Sequence, residues 1–136
     1  MPKATNWTND YEQLLTADQQ ESLNAMIADI EKKTSVEIAI VTVDTSMTTK
    51  EKFDAYILQL HNVWGVGKKE KDNGIVIGFS AAYRKVRISN GEGIVPQLSD
   101  SATQQIIDKE MIPSFKKGAY FDGLVSGLKA LMTIGE

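Results

Sequence analysis

Val36-Glu-Ile-Ala-Ile-Val-Thr-Val43 and Ile75-Val-Ile-Gly-Phe79 decide the fold. Both runs are short, apolar and rich in β-branched side chains, as in strands buried in a sheet. Between them Thr48-Thr-Lys-Glu51 reads as a capping box. Phe53, Tyr56, Ile57, Leu60 and Trp64 follow at helical spacing, and Gly65-Val-Gly67 should stop that helix. A strand that returns through a helix runs parallel to its predecessor. Beyond it Arg84-Lys-Val-Arg-Ile-Ser89 alternates, with Val86 and Ile88 facing in and the cations facing out. Ser80 to Tyr83 is about the length of a hairpin connection, so this last strand should run antiparallel. The sheet is therefore mixed, and the class is α/β.

Working outward, Thr16 and Gln19 form a capping box ahead of Leu23, Met26, Ile27 and Ile30, one apolar stripe. That helix should fade at Lys32 and Lys33, cations suited to its negative end. On the other side Asn90-Gly-Glu-Gly93 and Pro96 mark a loop. A third helix capped by Ser99 or Asp100 carries Ala102, Ile106 and Ile107 and must end before Pro113. A fourth starts near Ala119 and carries Phe121, Leu124, Val125, Leu128, Leu131 and Met132. Residues 1–13 read as a flexible polar segment and residues 14–136 as a single domain.

At 42% hydrophobic and 24% charged, a chain of 136 residues can bury one core. Its 15 basic and 18 acidic side chains leave a net charge of -3, which offers no broad positive field for nucleic acid or anionic lipid. The absence of cysteine removes disulfides, thiolate metal ligands and cysteine nucleophiles together. MPKATNWTND lacks the apolar core of a signal peptide, and no run approaches the ~20 apolar residues of a membrane span. The chain as written reads as cytoplasmic, or as exported or periplasmic if a leader has been removed. Asn6-Trp7-Thr8 matches a glycosylation sequon of a length that chance often produces.

Four motifs in order resemble the TPM domain family, named after a thylakoid-lumen protein, a photosystem II repair protein and a receptor modulator. They are Trp64-Gly-Val-Gly67, Asp72-Asn-Gly74, Arg87-Ile-Ser-Asn-Gly91 with Gly93, and Tyr120-Phe-Asp-Gly-Leu124. Asp10 with Leu14-Leu15-Thr16 looks like the family's start, so the likeness spans residues 9–132. The resemblance implies a three-layer αβα sandwich: a small mixed central sheet flanked by about four helices. It also implies one of three activities, since members have been described as acid phosphatases, as calcium binders and as assembly or repair factors. Many relatives carry an export leader and a membrane anchor or glycine-rich tail; this chain shows neither and reads as a stand-alone member.

Strand direction alone predicts where a site could lie. Asp72 and Asn73, just before one strand, share a sheet end with Asn90 to Gly93, just after its antiparallel neighbour. Adjacent strands lie ~4.8 Å apart, so the two loops must meet or cross. Asp72, Asn73 and Glu92, with Glu70 and Asp100, are the candidate metal ligands. Carboxylates, an amide oxygen and free carbonyls suit a hard cation, calcium first and magnesium second; zinc would want clustered histidines. Two helices should end at the same place, and their carbonyl ends favour a cation. The bland alternative is that Asp72-Asn-Gly74 is only a turn.

At the other end, helix starts at Thr48/Thr49 and Ala119 and the turn before Arg84 could hold phosphate. Asp44 is there the one catalytic candidate, as nucleophile or base. His61 is expected on the surface near a helix end, Lys68, Lys69 and Lys71 in a solvated loop, and Trp64 as a buried anchor. No GxSxG elbow, P-loop or dinucleotide fingerprint is present. The leading expectation is a monomer that binds a divalent cation in a structural or regulatory role. An acid phosphatase acting on phosphomonoesters, and a module that binds a protein partner without metal, are the alternatives.

Overall fold

Thr16 caps the first helix as its sequence predicts: its hydroxyl accepts the N–H of Gln19, and the Gln19 side chain accepts the N–H of Thr16 in return. The computed structural model of the chain, which describes residues 6–67 and 70–132, builds outward from such local signals. Helix α1 runs Ala17–Thr34 and buries Leu23, Ile27 and Ile30. It ends at Ser35, whose left-handed backbone (φ 64°) turns the chain into a strand, Glu37–Thr42. Helix α2 covers Phe53–Trp64 and stops at Gly65, also left-handed. Two strands, Gly74–Ser80 and Lys85–Asn90, form the hairpin.

One strand lies where none was expected. Thr8–Asp10 pairs in parallel with Ile40–Thr42, so part of the segment predicted to be flexible is the edge of the sheet; residues 1–5 lie outside the described residues. In chain order the strands are thus β1 (Thr8–Asp10), β2 (Glu37–Thr42), β3 (Gly74–Ser80) and β4 (Lys85–Asn90), and they sit in that order across the sheet. The first three are parallel and β4 is antiparallel. The mixed sheet and its hairpin agree with the sequence reading.

Alternation along the strands splits the core in two. Ile38, Ile40, Ile75, Ile77 and Ile88 face α1 and the C-terminal helices, whereas Ala39, Val41 and Val76 face α2 with Phe53, Ile57 and Leu60. The result is an αβα sandwich. Both crossovers step one strand in the same direction, yet α1 and α2 lie on opposite faces, so the two have opposite hands. One of them departs from the usual right-handed rule.

The C-terminal helices depart from expectation at Pro113. Helix α3 (Asp100–Ile106) does not end there but passes through a π-helical turn, Ile107–Met111, into α4 (Ile112–Lys116). The widened turn restarts the helix so that Pro113 falls in its first turn, where a missing N–H costs nothing. Helix α5 (Tyr120–Leu131) closes the layer. Its Gly123 and Gly127 lie against Phe115 and Met111 with no room for a methyl group. Helix α2 also starts later than its Thr48 box predicts: Lys52 is the cap position and no side chain caps it. No described helix is long and apolar enough to cross a membrane.

Candidate functional site

The pairing of Ile75 with Asn90 fixes the geometry of one sheet end. The chain before β3 and the chain after β4 leave the sheet side by side and lock together through their backbones. Gly91 N–H donates to Gly74 O (2.8 Å), and Gly93 N–H donates to Asp72 O (2.9 Å). Glu92 N–H donates to the Asp72 carboxylate at 3.2 Å. A β-carbon on Gly91 would lie 2.3 Å from Asp72 O, and one on Gly93 would lie 1.9 Å from Lys71 O. Only glycine allows that approach. Asp72 itself holds φ 49°, a conformation that aspartate tolerates better than most residues. The loops cross where strand direction said they must.

The five predicted ligands divide. Asp72 and Glu92 are exposed at the crossing, and the Glu92 N–H donates to the Asp72 carboxylate. Asn73 turns inward instead: its Nδ2 donates to Ser35 O (2.8 Å) and Ser35 Oγ (3.3 Å), and its carbonyl accepts Glu37 N–H. It pins the end of α1 to the start of β3. Glu70 and Asp100 are exposed, and among the described residues no hydrogen bond or ion pair joins them to the crossing. Among the described residues no three acidic or histidine side chains converge closely enough to form a cluster for an ion. The exposed side-chain oxygens at the crossing belong to Asp72 and Glu92, with backbone carbonyls beside them; oxygen is the ligand type that hard cations take. Glu37, which the sequence reading passed over, adds a further carboxylate to this end; its Oε1 holds Gly67 N–H at 3.0 Å. Its signal was a charge at the head of an otherwise apolar strand.

His61 corrects an expectation. It is only 6% exposed, and its Nδ1 lies 2.9 Å from Ser89 Oγ, tying α2 to β4. Burial pushes its pKa below the ordinary 6.5, and the charge of nearby Asp72 offsets part of that effect. Trp64, expected as a buried anchor, is half-buried at the rim of the α2 layer. Lys71 is exposed, while Lys68 and Lys69 lie outside the described residues.

At the opposite end the predicted phosphate site comes apart. Asp44 closes its own turn, accepting Ser46 N–H at 2.7 Å and the Ser46 hydroxyl, and these bonds lower its pKa. A carboxylate held in its ionised form by such donors is a weak base. Arg84 and the start of α5 do meet, but around a cavity of about 550 Å³ that Asp44 does not line. Phe79, Phe115 and Tyr120 wall it, and Arg84, Lys116 and Lys117 stand at its rim. Phe79 and Phe115 stack with ring centres 4.3 Å apart, and Tyr120 tilts against Phe79 at 5.3 Å. Lys85 contributes to the wall while its ammonium turns toward Asp54 (3.8 Å) and the Phe53 ring.

The family model described as TPM domain matches residues 8–134. Among solved structures, the chain is similar to the N-terminal domain of a protein from P. gingivalis, with 31% identity and a TM-score of 0.82, covering 94% of this chain and 80% of that one. It is also similar to BA42 from the psychrophilic bacterium Bizionia argentinensis, at 29% identity and a TM-score of 0.70, covering 90% and 81%. The N-terminal domain of the cg2496 protein from Corynebacterium glutamicum shares the fold at 11% identity, with a TM-score of 0.72 over 100% and 84% of the two chains. No curated protein matches.

Proposed function

The chain belongs to the TPM domain family, and from that premise we propose that it binds a divalent cation, calcium before magnesium, where residues 70–73 cross residues 91–93. One observation supports the reading: the Glu92 backbone N–H donates to the Asp72 carboxylate, so two exposed acidic residues stand next to each other where the loops cross. Like charges so placed repel, and a cation between them removes the repulsion. Asp72 and Glu92 would hold the ion with backbone carbonyls and water completing its shell. The ends of α1 and α2, at Ser35 and Gly65, bring their partial negative charge to the same side.

The role is structural or regulatory: the ion orders the loops that join β3 and β4 to their helices. Asp44, committed to Ser46, supplies no catalytic group, so a generic phosphomonoester should show no more than trace hydrolysis. The deciding experiment is thermal unfolding in chelator and in millimolar calcium, with amide NMR to locate the ion. Binding at a hundredfold excess over its dissociation constant adds ~2.7 kcal/mol, or a rise of roughly 10 °C in midpoint for a domain of this size. Asp72→Asn keeps the backbone conformation and removes the charge; it and Glu92→Gln should each shrink the rise, while Asp44→Asn should not. Superimposable curves in chelator and calcium would end the proposal.

A further inference from the structure

We infer that the cavity between the β3–β4 turn and the α4–α5 connection binds a small anionic molecule with an aromatic body, an aryl carboxylate or an aryl phosphate. Its volume of about 550 Å³ falls within the ~300–1,000 Å³ of small-molecule sites. The wall and the rim ask for different halves of such a molecule. Phe79, Phe115 and Tyr120 present a cluster of rings, against which a further ring packs offset or edge-on. Arg84, Lys116 and Lys117 supply positive charge, and none has an ion-pair partner among the described residues. Among the described residues no carboxylate lines the space. The Glu12 carboxylate, close to the turn, is committed to the N–H groups of Ala81 and Ala82. On a chain of net charge -3, three unpaired cations at the mouth of one aromatic cavity stand against the general field.

Two backbone features build the place. The π-helical turn at Ile107–Met111 rotates everything after it relative to α3, and Ile112, Phe115, Lys116 and Lys117, which follow it, all line the cavity. Arg84 holds φ 54°, where glycine would sit without steric cost. The turn therefore does not need arginine for its shape, and replacing it by glycine removes the guanidinium while relieving the backbone.

Amide NMR titration separates the parts, using phenyl phosphate and benzoate as probes, with inorganic phosphate and benzyl alcohol as the charge alone and the ring alone. Both aryl anions are expected to shift the amides of residues 81–86 and 115–120 saturably, with dissociation constants on the order of 1 mM for probes of about ten heavy atoms. Tighter binding of phenyl phosphate assigns phosphate-bearing ligands, and tighter binding of benzoate assigns carboxylates. Arg84→Gly should weaken both roughly tenfold, the loss of one charge-assisted contact, and the exposed pair Lys116→Gln/Lys117→Gln should act in the same direction. Absence of saturable shifts with either aryl anion would overturn the inference. So would unchanged affinity in both variants, or inorganic phosphate binding as tightly as phenyl phosphate.

Discussion

The two ends of the sheet are built by different means. At the acidic end, backbone grips backbone: Gly91 and Gly93 lie against the carbonyls of Asp72 and Lys71, with side chains turned outward to water or inward to Ser35. At the basic end, side chains do the work, with three rings forming a wall and three cations a rim. The first kind of site is specified by what cannot be present, namely a β-carbon. The second is specified by what must be present. Tolerance to substitution should differ accordingly.

Gly93→Ala is the sharpest way to break the contrast. Its new β-carbon would lie 1.9 Å from Lys71 O, so the loop crossing must open. We expect a loss of about 3 kcal/mol, at the upper end of overpacking costs, read as a fall in urea midpoint. Gly118→Ala is its counterpart at the basic end. Nothing stands within 4 Å of the added carbon there, and only the positive φ of 74° opposes it; a loss of roughly 1 kcal/mol follows. Equal losses would show that the loop crossing yields to the added carbon and that contact does not distinguish the two ends.

Phe115→Ala tests the basic end from the other side. Phe115 is half-buried and stacked on Phe79, so we expect about 2–3 kcal/mol, below the 3–5 of a fully enclosed aromatic. The rise in midpoint with calcium proposed for the far end should be the same in this variant. A calcium shift that vanishes in this variant would mean that the ends are coupled through the sheet.

The smallest effect sharpens the acidic end. Burial holds the folded-state pKa of His61 below the ordinary 6.5, so the fold favours the neutral ring. Its contribution is constant above the unfolded value. As pH falls through 6.5 toward the folded value, the unfolded chain takes up the proton first and stability drops. Below the folded value the loss is complete. His61→Asn, which can keep a contact to Ser89, should flatten that part of the profile in urea midpoints taken between about pH 7.5 and 5. A parallel profile in the variant would assign the acid sensitivity to the carboxylates instead.

Where local pattern and strand direction suffice, the sequence reading holds. The Thr16 box, the α1 stripe and the antiparallel hairpin are all consequences of neighbouring residues, and the crossing of the two loops follows from parallel and antiparallel logic alone. It fails where a partner far along the chain decides. Strand β1 is only Thr8-Asn9-Asp10, polar and without periodicity. It is held by the bond from Asn9 to Ile40 O and by Asp10, whose carboxylate accepts from Leu14, Leu15 and Thr42. The inward turn of Asn73 was not legible because its partner Ser35 lies 38 residues away. His61 looked exposed because Ser89 was not visible beside it. The aromatic cavity was missed because a π-helical turn, not periodicity, sets the direction of Phe115.

The short edge strand has a consequence for solubility. β2 reads Glu-Ile-Ala-Ile-Val-Thr, nearly all of it buried, with high β-propensity and no proline. A run of that kind is a template for pairing with other chains when its edge is open. Three polar residues close it: Thr8, Asn9 and Asp10 occupy the hydrogen-bonding positions opposite Ile40, Val41 and Thr42. A chain trimmed to begin at Tyr11 would keep its two cores and both sheet ends, yet present that edge bare, and it should aggregate long before it unfolds.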